Sequence, residues 1–125
     1  MSSVTGNQSP VANFYDLEIW KEANLLAVKI YKITEQFPVE ERYGISNQIR
    51  RASVSVGANI AEGFGRFHYK DKIKFYYNAR GSVCEVQNFI FISKELAYLN
   101  NKMAREIFSE YEKLNKRINS FIKAV

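Results

Sequence analysis

Apolar residues recur at helical spacing along almost the whole chain. The first run occupies positions separated by four and three residues, namely Ile19, Ala23, Leu26, Ile30, Ile33 and Phe37. A period close to 3.5 is typical of the apolar seam in a left-handed helical bundle. Asp16 is a candidate N-cap, and Pro38 disfavours helical geometry at Phe37. The pattern therefore predicts a first helix from about Leu17 to Gln36.

Three further runs repeat this spacing. The second run contains Ile45, Ile49, Ala52, Val56 and Ile60. The third contains Phe75, Ala79, Ser82, Val86, Phe89, Ser93 and Leu96. The fourth contains Met103, Ile107, Tyr111, Leu114, Ile118, Phe121 and Val125. The second helix is expected to end near Glu62, before the glycines Gly63 and Gly65, and the third is expected to start near Tyr69 and to end before Asn100.

Four amphipathic helices with short connections predict an all-α fold, an up-down-up-down left-handed four-helix bundle. The length of 125 residues suits one domain, which we place at residues 14–125. Residues 1–13 are polar and carry no helical pattern, so we expect a disordered or poorly ordered tail.

Composition argues against several classes of protein. The only cysteine is Cys84 and the only histidine is His68, which rules out an internal disulfide and a structural zinc site. No stretch approaches the ~18 apolar residues of a membrane span, and no signal-peptide pattern is present. We predict a cytoplasmic protein that has no membrane contact, no cofactor, no metal and no catalytic residue, and is not an enzyme.

Positive charge is concentrated in the middle of the chain. Residues 42–84 contain eight basic and two acidic residues, while the whole chain has 18 basic and 13 acidic residues. This segment predicts either a basic surface or a set of internal ion pairs. The candidate residues for contacting nucleic acid are Arg50, Arg66, Lys70, Lys72, Lys74 and Arg80.

Aromatic residues are interleaved with these cations. Cations with neighbouring rings suit phosphate contact together with stacking on unpaired bases, which predicts binding of RNA or DNA. The alternative is a solvated helix start whose rings pack inward. The aromatic residues concerned are Phe64, Phe67, Tyr69, Tyr76 and Tyr77.

A polar ridge accompanies the apolar face of the second helix. Its members are separated by three or four residues and are Gln48, Arg51, Ser55, Asn59 and Glu62. Small neighbours such as Ala52 and Gly57 would let another helix approach, so we expect Arg51 to be largely withheld from solvent and paired with Glu85 or Glu62. The ridge and Glu85 form either a structural network that fixes register and assembly, or a surface that contacts a ligand or nucleic acid.

Nine aromatic residues fall off or beside the apolar seams. A second apolar face on a helix usually has a second partner, so the surplus predicts self-association. These residues are Trp20, Tyr31, Phe64, Phe67, Tyr76, Tyr77, Phe91, Tyr98 and Phe108.

Several short motifs resemble those of a bacterial four-helix-bundle family. That family includes proteins encoded by intervening sequences inside 23S ribosomal RNA genes, and it is similar to the accessory variability determinant of diversity-generating retroelements. The resemblance covers about residues 14–122. Its motifs are Asp16-Leu17 with Trp20, Phe37-Pro38, Glu41 with Tyr43-Gly44, Gln48 to Ala52, Asn59 to Gly63, and Gly81-Ser82 with Glu85.

The resemblance implies a ring-like homopentamer with a role in binding nucleic acid. It does not establish a ribosomal function, because many members are found outside any ribosomal RNA gene. A different reading is a homo-oligomeric scaffold that recruits a protein, such as a polymerase or processing factor, without touching nucleic acid.

Overall fold

The computed structural model describes residues 11–125, and the tail predicted for residues 1–13 lies almost entirely outside this range. Two single-turn 3-10 helices, Phe14–Asp16 and Val39–Glu41, flank the first of four α-helices. No strand occurs in the described range, and the predicted all-α four-helix fold is confirmed. The α-helices are α1 (Glu18–Thr34), α2 (Ile45–Gly65), α3 (Tyr69–Glu95) and α4 (Asn101–Ala124).

Contacts between helices show the up-down-up-down order. Each helix packs on its neighbour in sequence, most extensively α2 on α3, and α1 packs on α4 to close the bundle. Lys29 of α1 forms an ion pair with Glu110 of α4 at 2.9 Å, and Glu22 pairs with Arg117. We call the end with the α2–α3 connection the lower end, and the other the upper end. Among residues 11–125, no helix is both long and apolar enough to cross a membrane.

The core contains most of the apolar positions that recur at helical spacing. Five positions of the predicted runs are only partly buried, namely Ile33, Phe75, Phe89, Met103 and Phe121, while Leu96 and Val125 stay exposed. The core also includes residues outside those runs, among them Val83, Ile90, Ala104 and Ile122. Tyr76 was expected beside the seam, but that prediction is wrong because the ring is only 2% exposed. Core residues with no exposed surface are Val56, Ile60, Ala79, Val83, Val86, Tyr111, Leu114 and Ile118.

Two predicted helix ends differ from the structure. Asp16 does not cap α1: it closes the preceding 3-10 turn, and Leu17 occupies the N-cap position without a side-chain hydrogen bond. Helix α2 continues past Glu62 to Gly65, and neither Gly63 nor Gly65 has a left-handed backbone. Gly63 is buried instead because the ring of Tyr76 packs against it.

A carboxylate joins the two connections at the upper end. Glu41 accepts a hydrogen bond from the backbone N–H of Ile45 at 3.2 Å, which satisfies one free donor at the start of α2. Its other oxygen accepts the hydroxyl of Tyr98 at 2.8 Å, next to the α3–α4 connection. A Cβ on Gly44 would lie 2.5 Å from Glu41 Oε1, so a side chain there would displace the carboxylate.

Candidate nucleic-acid interface

The connection between α2 and α3 brings four of the six candidate cations together. Because α2 ends at Gly65 and α3 begins at Tyr69, only three residues separate the helices. The last turn of α2 therefore lies beside the first turns of α3. This lower end carries the cations Arg66, Lys70, Lys72 and Lys74.

Lys72 is bound within the chain. Its ammonium group donates to the backbone carbonyl of Phe64 at 2.9 Å and lies 5.6 Å from the centre of the Phe64 ring. Cations are favourable at a helix C-terminus, where carbonyls lack intrahelical partners. Lys72 therefore stabilises the end of α2 and positions the connection, so its ammonium is not free for a phosphate.

Arg66 forms a weak surface pair. Its guanidinium lies 2.8 Å from Glu62, with the two side chains 45% and 52% exposed, and 4.7 Å from the centre of the Phe75 ring. An exposed pair of this kind contributes about 0–1 kcal/mol. Arg66 can therefore exchange Glu62 for a phosphate at little cost.

Lys70 and Lys74 are the most available cations of the candidate set. Both are exposed, and neither forms an ion pair with any residue in the 11–125 range. Four residues apart on α3, they lie on one helix face, which Tyr77 continues. Asp71 is the acidic residue nearest to them in sequence. This face offers two ammonium groups to an anionic partner.

Arg50 lies outside this surface. It is half-buried near the upper end, where Nε donates to Thr34 Oγ1 at 2.7 Å and Nη2 donates to the carbonyl of Tyr31 at 3.2 Å. Sixteen residues of helix, about 24 Å, separate Arg50 from Arg66. Its guanidinium joins α2 to the end of α1, which gives Arg50 a structural role, and the hypothesis that it contacts nucleic acid stays untested.

Arg80 lies three residues beyond Tyr77 on α3. It is half-buried, with its guanidinium 5.4 Å from the centre of the Tyr77 ring. Its Nε is buried, and no described residue accepts a hydrogen bond from it. Ten residues of helix, about 15 Å, separate it from Lys70. Arg80 therefore packs on an aromatic ring of the surface rather than extending the row of free cations.

The polar ridge of α2 is divided. Its middle is internal: Ser55 Oγ and Ser82 Oγ lie 2.9 Å apart, and Asn59 donates to the carbonyl and the hydroxyl of Ser55 at 2.9 and 3.0 Å. The Ser55–Ser82 contact crosses from α2 to α3 and fixes their register, while the Asn59 bonds stay within α2. Short side chains at this contact let the two helices approach closely.

Arg51 does not behave as the ridge pattern predicts. The expectation that it is withheld from solvent is wrong for the single chain, because its side chain is exposed at the rim of the α2–α3 contact. Glu62 pairs with Arg66 instead, and Glu85 forms no ion pair within residues 11–125. An open polar groove of about 470 Å³ separates the two helices here, lined by Asn47, Gln48, Arg51, Ala52, Ser55 and Glu85.

The carboxylates of Glu62 and Glu85 lie far apart. The Ser55–Ser82 contact puts Glu85 level with Ala52, ten residues or about 15 Å along the helix from Glu62. His68 is exposed and contacts Phe67, with ring centres 5.1 Å apart. In the described part of the chain, no group of three or more His, Cys, Asp or Glu residues could hold a metal ion.

Comparisons with known proteins agree with this architecture. The family model described as 23S rRNA-intervening sequence protein matches residues 15–120. The chain belongs to this family. The chain is similar to a crystal structure from Bacteroides thetaiotaomicron, described as a protein of unknown function from the S23 ribosomal protein family, with a TM-score of 0.78 and 23% identity. The match covers 84% of this chain and 95% of that one, and it shows a shared fold. A comparison with curated proteins gives no match.

Proposed function

We propose that this member of the 23S rRNA-intervening sequence protein family is a cytoplasmic, non-enzymatic accessory protein that binds the phosphate backbone of RNA or DNA. The observation that supports it most directly is the pair of exposed, unpaired ammonium groups of Lys70 and Lys74 at the lower end. Arg66, in a weak surface pair, adds a third cation. Phosphate contacts position a strand without reading its bases, so binding has little sequence preference.

The binding mechanism is electrostatic. Each phosphate neutralised by a lysine or arginine releases condensed counterions, so affinity falls steeply as salt rises. Lys72, which caps α2, contributes by positioning, and Arg50 and Arg80 are left out of the contact surface.

Self-association is part of the proposed function. A groove of about 230 Å³ between α1 and α2 is bordered by Val54, which is 48% exposed, and elsewhere on α1 Leu25 and Val28 are 66% and 46% exposed. On the α3–α4 side, a groove of about 260 Å³ includes Phe91, which is 53% exposed. Unlike faces that meet between copies form a heterologous contact, which can close into a ring. Family resemblance suggests five copies, and a ring repeats each weak phosphate contact.

An anisotropy titration tests the binding function. Labelled single-stranded RNA and DNA are titrated at about 50 mM and about 200 mM salt. The charge reversals Lys70→Glu and Lys74→Glu together should weaken binding to every sequence alike. The matched control is Lys113→Glu with Lys116→Glu on α4, which changes the net charge equally. Equal weakening by both pairs, or no saturable binding at the lower salt, contradicts the proposal.

A scaffold that recruits a protein, such as a polymerase or processing factor, is the second candidate. The polar groove favours it, because Arg51 and Glu85 form no ion pair within residues 11–125 and a protein surface could satisfy both. Light scattering that gives a multiple of 14.5 kDa, together with no nucleic-acid binding, supports this candidate. A monomer at micromolar concentration contradicts self-association.

A further inference from the structure

Three aromatic rings at the lower end are exposed beside the free cations. Phe67 is 89% exposed, Tyr69 is 59% exposed and Tyr77 is 51% exposed. Burying a ring is normally favourable, so a group of exposed rings marks an interaction surface. Two have partial neighbours: Phe67 meets the His68 ring, and Tyr77 has the Arg80 guanidinium 5.4 Å from its centre.

The rings and the free cations share one short stretch of the chain, from Phe67 to Tyr77. Phe67 lies in the connection, Tyr69 begins α3, and Tyr77 follows eight residues later, about 12 Å along the helix. That distance equals the rise of three to four stacked bases at about 3.4 Å each. Lys70 and Lys74 lie between the two tyrosines in sequence. We call these five residues the lower-end row.

We infer that the lower-end row stacks its rings on unpaired bases, so that the preferred ligand is a single strand; this rests on the proposed backbone binding. In a duplex, the base faces are covered by neighbouring pairs, so aromatic side chains cannot stack on them. In a single strand, bases can turn out and stack on aromatic side chains. Such stacking contributes about 5- to 150-fold in affinity for each ring.

Charge favours a nucleic acid over a second copy as the occupant. In a twofold contact, Lys70 and Lys74 of one copy would face the same residues of the other, and like charges repel. Exposed rings bordered by ammonium groups suit a partner that carries both flat faces and negative charge. An acidic protein segment has the charge but lacks a regular series of flat rings.

The experiment compares ligands that differ in whether unpaired bases are present. Three labelled 20-mers are titrated at one salt concentration: oligo(dT), an abasic strand with the same number of phosphates, and a duplex. Oligo(dT) should bind at least 5-fold more tightly than the abasic strand. The substitutions Phe67→Leu and Tyr77→Leu keep apolar bulk but remove two of the three rings, and should lower oligo(dT) affinity toward that of the abasic strand, with Tyr69 left as the remaining ring.

Controls separate the possible failures. Tyr43→Leu removes an 86% exposed ring at the upper end and should change nothing. The single variant Phe67→Leu leaves Tyr77 and its packing unchanged, so a loss of affinity in this variant cannot come from a packing change at Tyr77. Helical circular dichroism checks that each variant is folded. Equal affinity for oligo(dT) and the abasic strand, or tighter binding of the duplex, overturns the stacking inference while backbone binding stands. If no strand binds, both the inference and the proposed function fail. Competition by polyglutamate as strong as by oligo(dT) overturns the inference in favour of an acidic protein partner.

Discussion

The ring of Tyr76 occupies the space that a side chain at Gly63 would need. A Cβ built on Gly63 would lie 2.7 Å from Cε1 and 3.0 Å from Cδ1 of that ring. The Tyr76 ring also packs against Phe121, which it meets edge-to-face with ring centres 5.0 Å apart. The close approach of α2 and α3 at the lower end therefore depends on the glycine, and it brings Lys72 within reach of the last carbonyls of α2.

Replacing this glycine should destabilise the fold. Gly63→Ala forces the Tyr76 ring to move in a filled core, and overpacking of this kind costs about 1–3 kcal/mol of unfolding free energy. Gly81→Ala is the matched control, because nothing lies within 4 Å of its Cβ position. That change should raise the unfolding free energy by about 0.5–1 kcal/mol through helix propensity. Urea unfolding measures both, and similar effects for the two variants would contradict the packing argument.

Stability should fall above about pH 10. The hydrogen bond to Glu41 raises the pKa of Tyr98, and burial raises the pKa of Tyr76 and of Tyr111. Above the ordinary tyrosine pKa of about 10, the unfolded chain loses these protons first, so it is favoured as pH rises. The stabilisation is complete below that pH and disappears as pH rises through the folded-state pKa values.

Tyr98→Phe isolates one part of this effect. The variant should have a lower urea midpoint at pH 8 and a smaller fall between pH 8 and pH 11 than the parent protein. Tyr43→Phe, at an 86% exposed position, is the control and should follow the parent curve. An unchanged alkaline slope in Tyr98→Phe would show that the Glu41 contact does not persist in solution.

Tyr111→Phe should stabilise the protein. The Tyr111 side chain is fully buried, and its hydroxyl has no hydrogen-bond partner among residues 11–125. Removing an unsatisfied buried hydroxyl should raise the unfolding free energy by about 1 kcal/mol. Denaturant unfolding at pH 7 measures the change, and a clear loss of stability would mean that the hydroxyl is satisfied in solution.

Substitutions at Lys72 and Lys70 should have different effects, the first mainly on stability and the second mainly on RNA binding. Lys72→Met removes the half-buried contact with the Phe64 carbonyl and should lower the unfolding free energy by about 1 kcal/mol. Lys70→Met should change the unfolding free energy by no more than about 0.5 kcal/mol, as is usual for a surface substitution. At about 50 mM salt it should nevertheless weaken RNA binding more than Lys72→Met does. The reverse ranking would assign the phosphate contact to Lys72.

Arg51→Ala should leave the folding of the single chain almost unchanged. Its side chain is exposed and forms no ion pair within the described range, so the expected change is within about 0.5 kcal/mol. If the polar groove is a contact between copies, the same variant should reduce the assembled mass in light scattering. A loss of about 3 kcal/mol in the monomer would restore the buried-pair hypothesis.

Helical spacing was sufficient to predict the four helices and most of the core, since burial follows the apolar period. It could not predict partners that are distant in sequence. Gly63 looked like a helix stop until the ring of Tyr76 explained it, and Arg50 looked like a free cation until its contact with Thr34 was known. Lys70 and Lys72 differ only in which direction they face at the start of α3. That direction is set by packing, so only the structure shows that Lys70 is the candidate for binding and that Lys72 caps the end of α2.

The seam between α1 and α4 has a consequence for the lifetime of the folded chain. Its ion pairs, Lys29–Glu110 and Glu22–Arg117, join residues 81 and 95 positions apart, whereas the other helix pairs are neighbours in sequence. Local pairs form early because they close short loops, and contacts that join the two ends of a chain form late. Interactions made after the transition state affect the unfolding rate and leave the folding rate almost unchanged. Weakening this seam should therefore make the bundle open sooner without making it form more slowly.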